Sequence, residues 1–576
     1  MSVRGKRSGR RQRSLLETVG PLISWGMRRT ADRFMADTAH YAAASTRTLD
    51  RILALNGRTE FARSRGLDGP NPRQVFEKLP LTTYADYSAY VERTAAGEQN
   101  VLSGEPVIYF STTSGTTGPP KMVPVTRRQM RMAVGTRMTS MGLALRAGVL
   151  KPMRGRFMTM ITEHVSGATS GGLPMGAATT GGFRQLGNFA DKILTSPPEV
   201  MRVHDQAASR YLHLLFGLGE ERLWTMIAFF PATVLFTLRT LEAQKENLVR
   251  DLADGTLNTE LELPKETRAR LLSLRRPDRA RARALTALLD RGQFTPARIW
   301  PDLGAILTAT GGAFGFYIDQ LRPLLDGVRV FSPVYSASEG TMGYGFSADK
   351  PFYLMVSSLA YVELLQVDQM NDPKARPIPA WQAKPGTEYE VVITTLAGFT
   401  RYRLHDIVRV VEMCGQTPVY EFVERSGQVL DIAGEKTAEH HVVEAIELAG
   451  HDVNLPLVDY FVTIDTETAP GRYLLVIEST RTGPGLAELA RQFLQAAEAA
   501  LHKTAFYYDE DRNLGILASM AMVVLKPGAF ERYRDRCVAA GASASQVKTP
   551  HVVLDQEFLS REMRDEVLFQ VEDASK

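Results

Sequence analysis

The stretch STTSGTTGPPKMVPVT, from Ser111 to Thr126, sets seven hydroxyl side chains, two glycines and one lysine behind the apolar run VIYF (Val107 to Phe110). Gly115 and Gly118 let the backbone turn its N–H groups inward, and Thr113, Ser114, Thr116 and Thr117 add hydroxyl donors. Such a loop suits a chain of phosphates, with Lys121 supplying a point charge rather than a bidentate fork. It is not a Walker-type loop. That motif needs Gly before the lysine and Ser or Thr after it, and Lys121 stands between Pro120 and Met122. Serine, threonine, glycine and proline are also what polar surface turns are made of, so by itself the stretch reads either way.

The elements that must position this loop form a mixed α/β pattern. Residues 15 to 66 show helical spacing, with Leu49, Ile52, Leu53 and Leu55 ending at Asn56-Gly57. Beyond Val101 come short β-branched or aromatic runs: VIYF, FMTMI (Phe157 to Ile161), VRVFSPVY (Val328 to Tyr335) and YEVVITTL (Tyr389 to Leu396). Long helical stretches separate them. RARLLSLRRPDRARAR (Arg268 to Arg283) is broken by Pro277-Asp278 and flanked by acids, so a solvated helix pair is expected rather than a phosphate patch. The Gly-punctuated VERSGQVLDIAGEK (Val423 to Lys436) marks a boundary, and strands alternating with helices follow it. The expected plan is a basic flexible tail over 1–14, a large domain over 15–425, a hinge over 426–438 and a small α+β domain over 439–576.

Composition excludes several function classes. A chain of 576 residues with 44% apolar content needs at least two cores. Lys+Arg 68 against Asp+Glu 64 gives a formal charge of +4, which makes no case for nucleic acid. Cys414 and Cys537 lie in unrelated contexts, against a disulfide framework or a zinc site, and a reducing cytoplasm is expected. No run approaches the roughly 20 apolar residues that span a bilayer. The basic start RGKRSGRRQR is followed by a segment that Glu17 interrupts, without the apolar core or cleavage site of an export signal. The expectation is a monomer with no membrane partner.

Three co-linear stretches carry a resemblance. STTSGTTGPPK resembles the first nucleotide-binding motif of the acyl-adenylate-forming enzymes, VYSASEG (Val334 to Gly340) the second and RYRLHD (Arg401 to Asp406) the third. TSGGLP (Thr169 to Pro174), ARIWPDL (Ala297 to Leu303), EYEVVITTLAGFTRYRLHD (Glu388 to Asp406), LKPGAFERY (Leu525 to Tyr533) and GASASQVKTP (Gly541 to Pro550) look like one branch of them, the Gretchen Hagen acyl-acid amido synthetases. The resemblance runs from about residue 40 to about 565. It implies an α/β fold: a large N-terminal adenylate-forming domain with mixed sheets and flanking helices, and a smaller mobile α+β C-terminal domain. It also implies ATP and Mg²⁺, a carboxylic acid activated as acyl-AMP with release of pyrophosphate, and transfer of the acyl group to an amine, that of an amino acid.

The implied roles fall on particular residues. Two anions must meet in the first step, so preorganised donors and positive charge matter more than a covalent nucleophile. Ser114, Gly115, Thr116, Thr117 and Lys121 would clamp the phosphates. Glu339 would hold Mg²⁺ as it bridges phosphate oxygens, with a helix-start capping residue as the alternative. Ser336, Ala337 and Ser338 would lie along AMP, and Tyr361 near adenine, unless it is a core strand aromatic. Asp406 offers paired acceptors to a ribose diol, with pairing to Arg401, Arg403 or Arg409 as the alternative. Lys436, beside the hinge, and Lys548, in the small domain, are lysines that a mobile domain could bring to phosphate; catalytic weight is placed on Lys121, Glu339 and Lys548. TSGGLPMGAATTGG (Thr169 to Gly182) and an apolar helix around Met226 to Val234 are candidate walls for the acid, and the base of the second step has no candidate.

Two other functions share these features. A thioester ligase would keep the first step and use coenzyme A or a carrier-protein thiol, but the small domain has no glycine-rich signature for coenzyme A. A non-catalytic nucleotide-binding protein would have little need of Lys121, Glu339, Asp406 and Lys548 together. One departure from the family pattern invites a test: His405 stands where Gly is usual before the aspartate. His tolerates positive φ better than most residues, so His405→Gly should keep adenylation activity; a loss as deep as that of Asp406→Ala, in a pyrophosphate-release assay, would overturn a purely conformational role.

Overall fold

The computed structural model describes residues 15–112, 121–161, 165–176, 190–348, 350–372, 374–433, 435–542 and 547–572. The helices Leu15–Asp37 and Tyr41–Asn56 open the chain. Leu49, Ile52 and Leu53 face inward at helical spacing, and the helix stops at Asn56, whose amide donates to Leu396 O and accepts from Gly104 N. Residues of this helix and of Pro72–Lys78 cover one patch of a large antiparallel sheet.

That sheet has eight strands in the order Ile378–Pro379, Ala360–Gln366, Glu388–Thr395, Tyr402–Cys414, Thr417–Arg425, Phe352–Met355, Gly340–Gly345, Val334–Ala337. Strand Tyr402–Cys414 is central, paired on both sides. A second sheet, all parallel, contains Arg156–Thr159, Leu223–Ile227, Ala305–Leu307 and Arg329–Phe331. Crossover helices wrap it, as parallel strands require, and bury Leu214, Leu215, Trp300 and Ile306.

VRVFSPVY therefore is not one strand. Arg329–Phe331 ends the parallel sheet and Val334–Ala337 begins the edge of the antiparallel one. Pro333, which has no N–H to give to a ladder, stands at the crossing. The crossing places Tyr335, Ser336 and the following hairpin turn where the two sheets meet.

Strand Val107–Thr112, which holds VIYF, pairs antiparallel with Met122–Thr126, Thr112 opposite Met122. The loop with Ser114, Gly115, Thr116 and Thr117 lies outside the described residues, but its two ends are held by this register. Thr126 then caps the helix Arg127–Arg146, accepting from Gln129 N while Gln129 accepts from Thr126 N.

The C-terminal residues build a core of their own around the sheet Leu457–Asp465, Arg472–Ser479, Ala521–Leu525, Val567–Glu572. Side chains alternate across it: Tyr460 and Val462 meet helices Glu439–Asp452 and Leu486–Thr504, while Phe461 meets Phe530 of helix Ala529–Ala539. The molecule is thus mixed α/β, and among the described residues no helix is long and apolar enough to cross a membrane.

The arginine-rich segment forms two helices, Lys265–Leu274 and Arg279–Leu289, the second capped by Asp278. It is less solvated than expected: Arg275 is buried, and Arg281 donates to Leu218 O and Ile299 O.

The meeting of the two sheets is tight at Gly345, whose N–H donates to Pro333 O and whose missing Cβ would lie 1.8 Å from Ser332 O. Gly345→Ala should destabilise the fold by about 1–3 kcal/mol in urea denaturation, whereas Gly135→Ala, with open space around it, should not.

Candidate active site

Asp406 sits in the central strand, directly opposite Arg425 in the register of the neighbouring strand, with Arg425 Nε 3.9 Å from Oδ1. Across the sheet edge the Tyr335 hydroxyl donates to Oδ2 at 2.5 Å. Burial pushes the Asp406 carboxyl upward, and Arg425, the Tyr335 hydroxyl, Lys548 and His405 oppose that push. Tyr335 is held far above the usual phenol range by burial and by Asp406, so it remains a donor. The arginines that might have claimed Asp406 are engaged elsewhere. Arg401 pairs with Glu363 at 3.1 Å, Arg403 with Glu390 at 2.5 Å, and Arg409 with Glu388 at 2.6 Å and Glu421 at 3.1 Å. Asp406 is a strand residue, not a loop one, and it faces the space where Lys548 arrives.

His405 has φ +63, the left-handed conformation for which glycine is the easy residue. Its N–H donates to Glu390 Oε1 at 3.2 Å, and its Nδ1 lies 3.4 Å from the same oxygen. Burial lowers the ring's pKa below that of an ordinary histidine; Glu390 opposes that shift, and Arg403, Arg425 and Lys121 add to it.

Glu339 reaches the site from a hairpin. Pairing of Ala337 with Gly340 leaves Ser338 and Glu339 as the turn, so Glu339 caps no helix. A carboxylate at a turn is ordinarily solvated, yet this residue is only 6% exposed. The Tyr402 ring lies close enough for its hydroxyl to feel the Glu339 charge, which with burial raises the phenol. The Glu339 carboxyl is pushed up chiefly by burial and further by Asp406, and pulled down by Arg425 and Lys121. Two buried carboxylates thus lie within each other's field, and the cations that offset them come from distant parts of the chain.

Lys121 immediately precedes strand Met122–Thr126, with its Nζ 5.5 Å from the centre of the Tyr84 ring. Lys548 comes from the C-terminal unit, its Nζ 6.0 Å above the Phe314 ring and close enough to Asp406 to act on its charge. The structure therefore brings together Lys121, Glu339, Asp406 and Lys548. Ala337 and Ser338 are half-buried beside them, while Ser336 is exposed and donates to Thr341 Oγ1 at 2.9 Å.

Tyr361 packs in a core layer, and Lys436 is exposed. Tyr361 is buried between Phe76, 5.8 Å away, and Trp381, 6.3 Å away, in the layer formed with helices Tyr41–Asn56 and Pro72–Lys78, which is the core reading of that tyrosine. Lys436 is exposed at φ +48; its neighbour Glu435 is the buried one, accepting from Ile432 N, Ala433 N and the Tyr473 hydroxyl. The apolar stretch around Met226 also differs from expectation. Met226 belongs to the parallel sheet, and the helix begins only at Pro231. Phe230 and Phe236 from this region, with Phe314 and Phe422, form the aromatic wall of a cavity whose other wall carries Arg534 and Lys548 of the C-terminal unit.

Sequence reasoning did not single out Tyr335, Tyr402 or Arg425. Each stands inside or beside a quoted motif, but its role depends on cross-strand register, which residue spacing along one strand does not contain. Among the described residues there is no cluster of three or more side chains suited to hold a metal by themselves. Mg²⁺ commonly takes only one or two carboxylates and completes its shell with phosphates and water. Glu339, buried and short of positive charge, fits such a share.

Family models for the GH3 family N-terminal, central and C-terminal domains match residues 30–330, 353–425 and 440–557. A jasmonoyl–L-amino acid synthetase of Nicotiana attenuata, JAR6, is 29% identical over 88% of this chain and 90% of its own length. A probable indole-3-acetic acid-amido synthetase of Oryza sativa subsp. japonica, GH3.4, is 30% identical over 88% and 85%. Among solved structures, AtGH3.15 acyl acid amido synthetase in complex with 2,4-DB superposes with a TM-score of 0.82 at 24% identity, covering 95% of this chain and 97% of that one.

The Tyr335 hydroxyl fixes the orientation of the Asp406 carboxylate, and a hydrogen bond to a charged group contributes about 1.5–3 kcal/mol. Tyr335→Phe should lower stability by about 1.5–3 kcal/mol in urea denaturation, because the buried carboxylate loses its phenolic donor.

Proposed function

The chain belongs to the GH3 family, and on that footing we propose that it is an ATP-dependent acyl-acid amido synthetase, an acid–amino acid ligase working through an acyl-adenylate. In the first step a carboxylate oxygen attacks the α-phosphorus of ATP, and the bond to pyrophosphate breaks. In the second an amino-acid nitrogen attacks the acyl carbon. The C–O bond to AMP breaks, and the nitrogen loses a proton. The observation that carries this reading is the convergence of Lys121, Glu339, Asp406 and Lys548 from four separate segments onto one site at the edge of the central sheet.

In this reading Asp406 accepts from the ribose hydroxyls, its carboxylate already oriented by Tyr335. Ser336, Ala337 and Ser338 flank AMP from the edge strand, and the loop of Ser114, Gly115, Thr116 and Thr117 clamps the phosphates. Lys121 and Lys548 offset charge that develops on the phosphates, an electrostatic contribution of the kind that commonly exceeds tenfold in rate. Glu339 would hold Mg²⁺, which supplies polarisation of phosphate oxygens when bound. Tyr361 supports the sheet beneath the site rather than touching adenine, and Lys436 serves the hinge over 426–438 on which the C-terminal unit turns. The aromatic wall of Phe230, Phe236, Phe314 and Phe422 suits an apolar or aromatic acid. Cys414 and Cys537, half-buried and without a disulfide, accord with a reducing compartment such as the cytoplasm.

Pyrophosphate release with ATP and Mg²⁺ across aromatic, indolic and fatty acids, with and without mixed amino acids, tests the reading. The expected result is acid-dependent release and an amide at the corresponding mass. Release that answers to coenzyme A and ignores amines would replace it with a thioester ligase.

A further inference from the structure

Lys548 is held at the site by a group outside it. Asp459, on strand Leu457–Asp465 of the C-terminal unit, has no solvent exposure. Its Oδ2 accepts from the Thr549 hydroxyl at 2.8 Å and lies 3.3 Å from Arg534 Nη1. Its Oδ1 accepts from Tyr460 N at 3.0 Å and, at 2.8 Å, from the hydroxyl of Tyr317. Three of these donors belong to the C-terminal unit. The fourth, Tyr317, belongs to helix Gly315–Leu321 of the body of the protein. Thr549 is the residue next to Lys548, and just beyond it the chain is pinned to the same strand by Val462 N to His551 O at 2.8 Å and Val553 N to Val462 O at 2.9 Å.

Aromatic rings complete the junction. His551 stacks on Tyr460 at 4.2 Å, Tyr317 lies nearly parallel to His551 at 6.0 Å, and Phe316 meets Tyr460 and His551 edge-on at 5.1 and 5.8 Å. The arrangement is asymmetric in its cost of separation. If the C-terminal unit swings away, Asp459 keeps Thr549, Arg534 and Tyr460 N, and the Tyr317 hydroxyl passes to water, so neither side is left as a buried unpaired group. A buried carboxylate bridging two units through a neutral hydroxyl is therefore strong enough to set a position and cheap enough to release.

We propose that Asp459 is a positioning residue and the Tyr317–Asp459 hydrogen bond a latch, fixing Lys548 beside Asp406 for adenylation and opening for the step that follows. The proposal rests on the reading that Lys548 acts in the first half-reaction. The latch predicts a split between half-reactions that a general loss of stability would not produce. In Tyr317→Phe the ring and its stacking remain, and only the hydroxyl is lost. Expected for this variant are an unchanged Tm, hydrogen–deuterium exchange at least tenfold faster in residues 549–553 and 315–321 of the full chain, and pyrophosphate release at least tenfold slower. Aminolysis of supplied acyl-adenylate should be unchanged, using the acid chosen by the pyrophosphate assay. Asp459→Asn, tested in parallel, should show the same split if it folds. Lys548→Ala separates the two ideas. If it slows pyrophosphate release while Tyr317→Phe leaves both release and exchange at the parent level, the latch is wrong. If Lys548→Ala leaves release unchanged, the role given to Lys548 is wrong, and faster exchange in Tyr317→Phe would then support the latch as a domain contact alone.

Discussion

Two carboxylates, Asp406 and Glu339, are buried in one another's field, and most of the site is arranged to make that tolerable. Taking a carboxylate out of water raises the cost of its charge, and a second one beside it raises it further. The protein answers with a phenolic donor to Asp406, the Tyr335 hydroxyl, and with cations carried in from strand ends and loops. Arg425 lies opposite Asp406 because the register of two long antiparallel strands sets it there. Lys121 follows a loop closed by a hairpin, and Lys548 arrives from a different core altogether. Pyrophosphate chemistry needs positive charge at one point, and the same need explains why the ligands of that charge are already in place.

The motif around Asp406 shows how a strand keeps one acid free among many bases. Arg401, Arg403 and Arg409 belong to the same segment and each has its own glutamate, on the adjacent strand Glu388–Thr395 for Arg403 and Arg409 and one strand further, at Glu363, for Arg401. Glu363 and Glu390 are themselves buried, and burial raises the Glu363 carboxyl to about 7 even beside Arg401. Removing one of these glutamates would free a guanidinium to compete for Asp406. The ion pairs therefore protect an acceptor as much as they bind the sheet.

Local pattern made much of this legible. VIYF is the strand that it was expected to be, and the helix expected to end at Asn56-Gly57 ends there. The left-handed φ of His405 is where a glycine-like position was expected. The failures share one cause, since they concern contacts between segments that are not adjacent in sequence. VRVFSPVY looked continuous because periodicity does not show that Pro333 carries the chain from one sheet to another. Tyr361 is apolar, aromatic and on a strand whether it meets adenine or Trp381, and only the helix layer above it decides. Met226 belongs to a buried parallel strand, whose unbroken apolar run is indistinguishable from a buried helix. Asp459 in LPLVDYFVTI has no local signal at all, because each of its side-chain donors comes from another segment.

The cavity beside the site has its aromatic wall on the body of the protein and its Arg534 and Lys548 wall on the C-terminal unit. A space bounded by two separately cored units exists only while they are docked. Whatever fills it binds the docked form and not the parted one, so occupancy and docking are linked equilibria. A ligand at one hundred times its dissociation constant would favour docking by about 2.7 kcal/mol, and its apparent affinity would fall in proportion to the fraction of molecules that are docked. Substrate would then act as the adhesive of the arrangement that consumes it, and loss of the filled cavity after reaction would return the two units to independent motion.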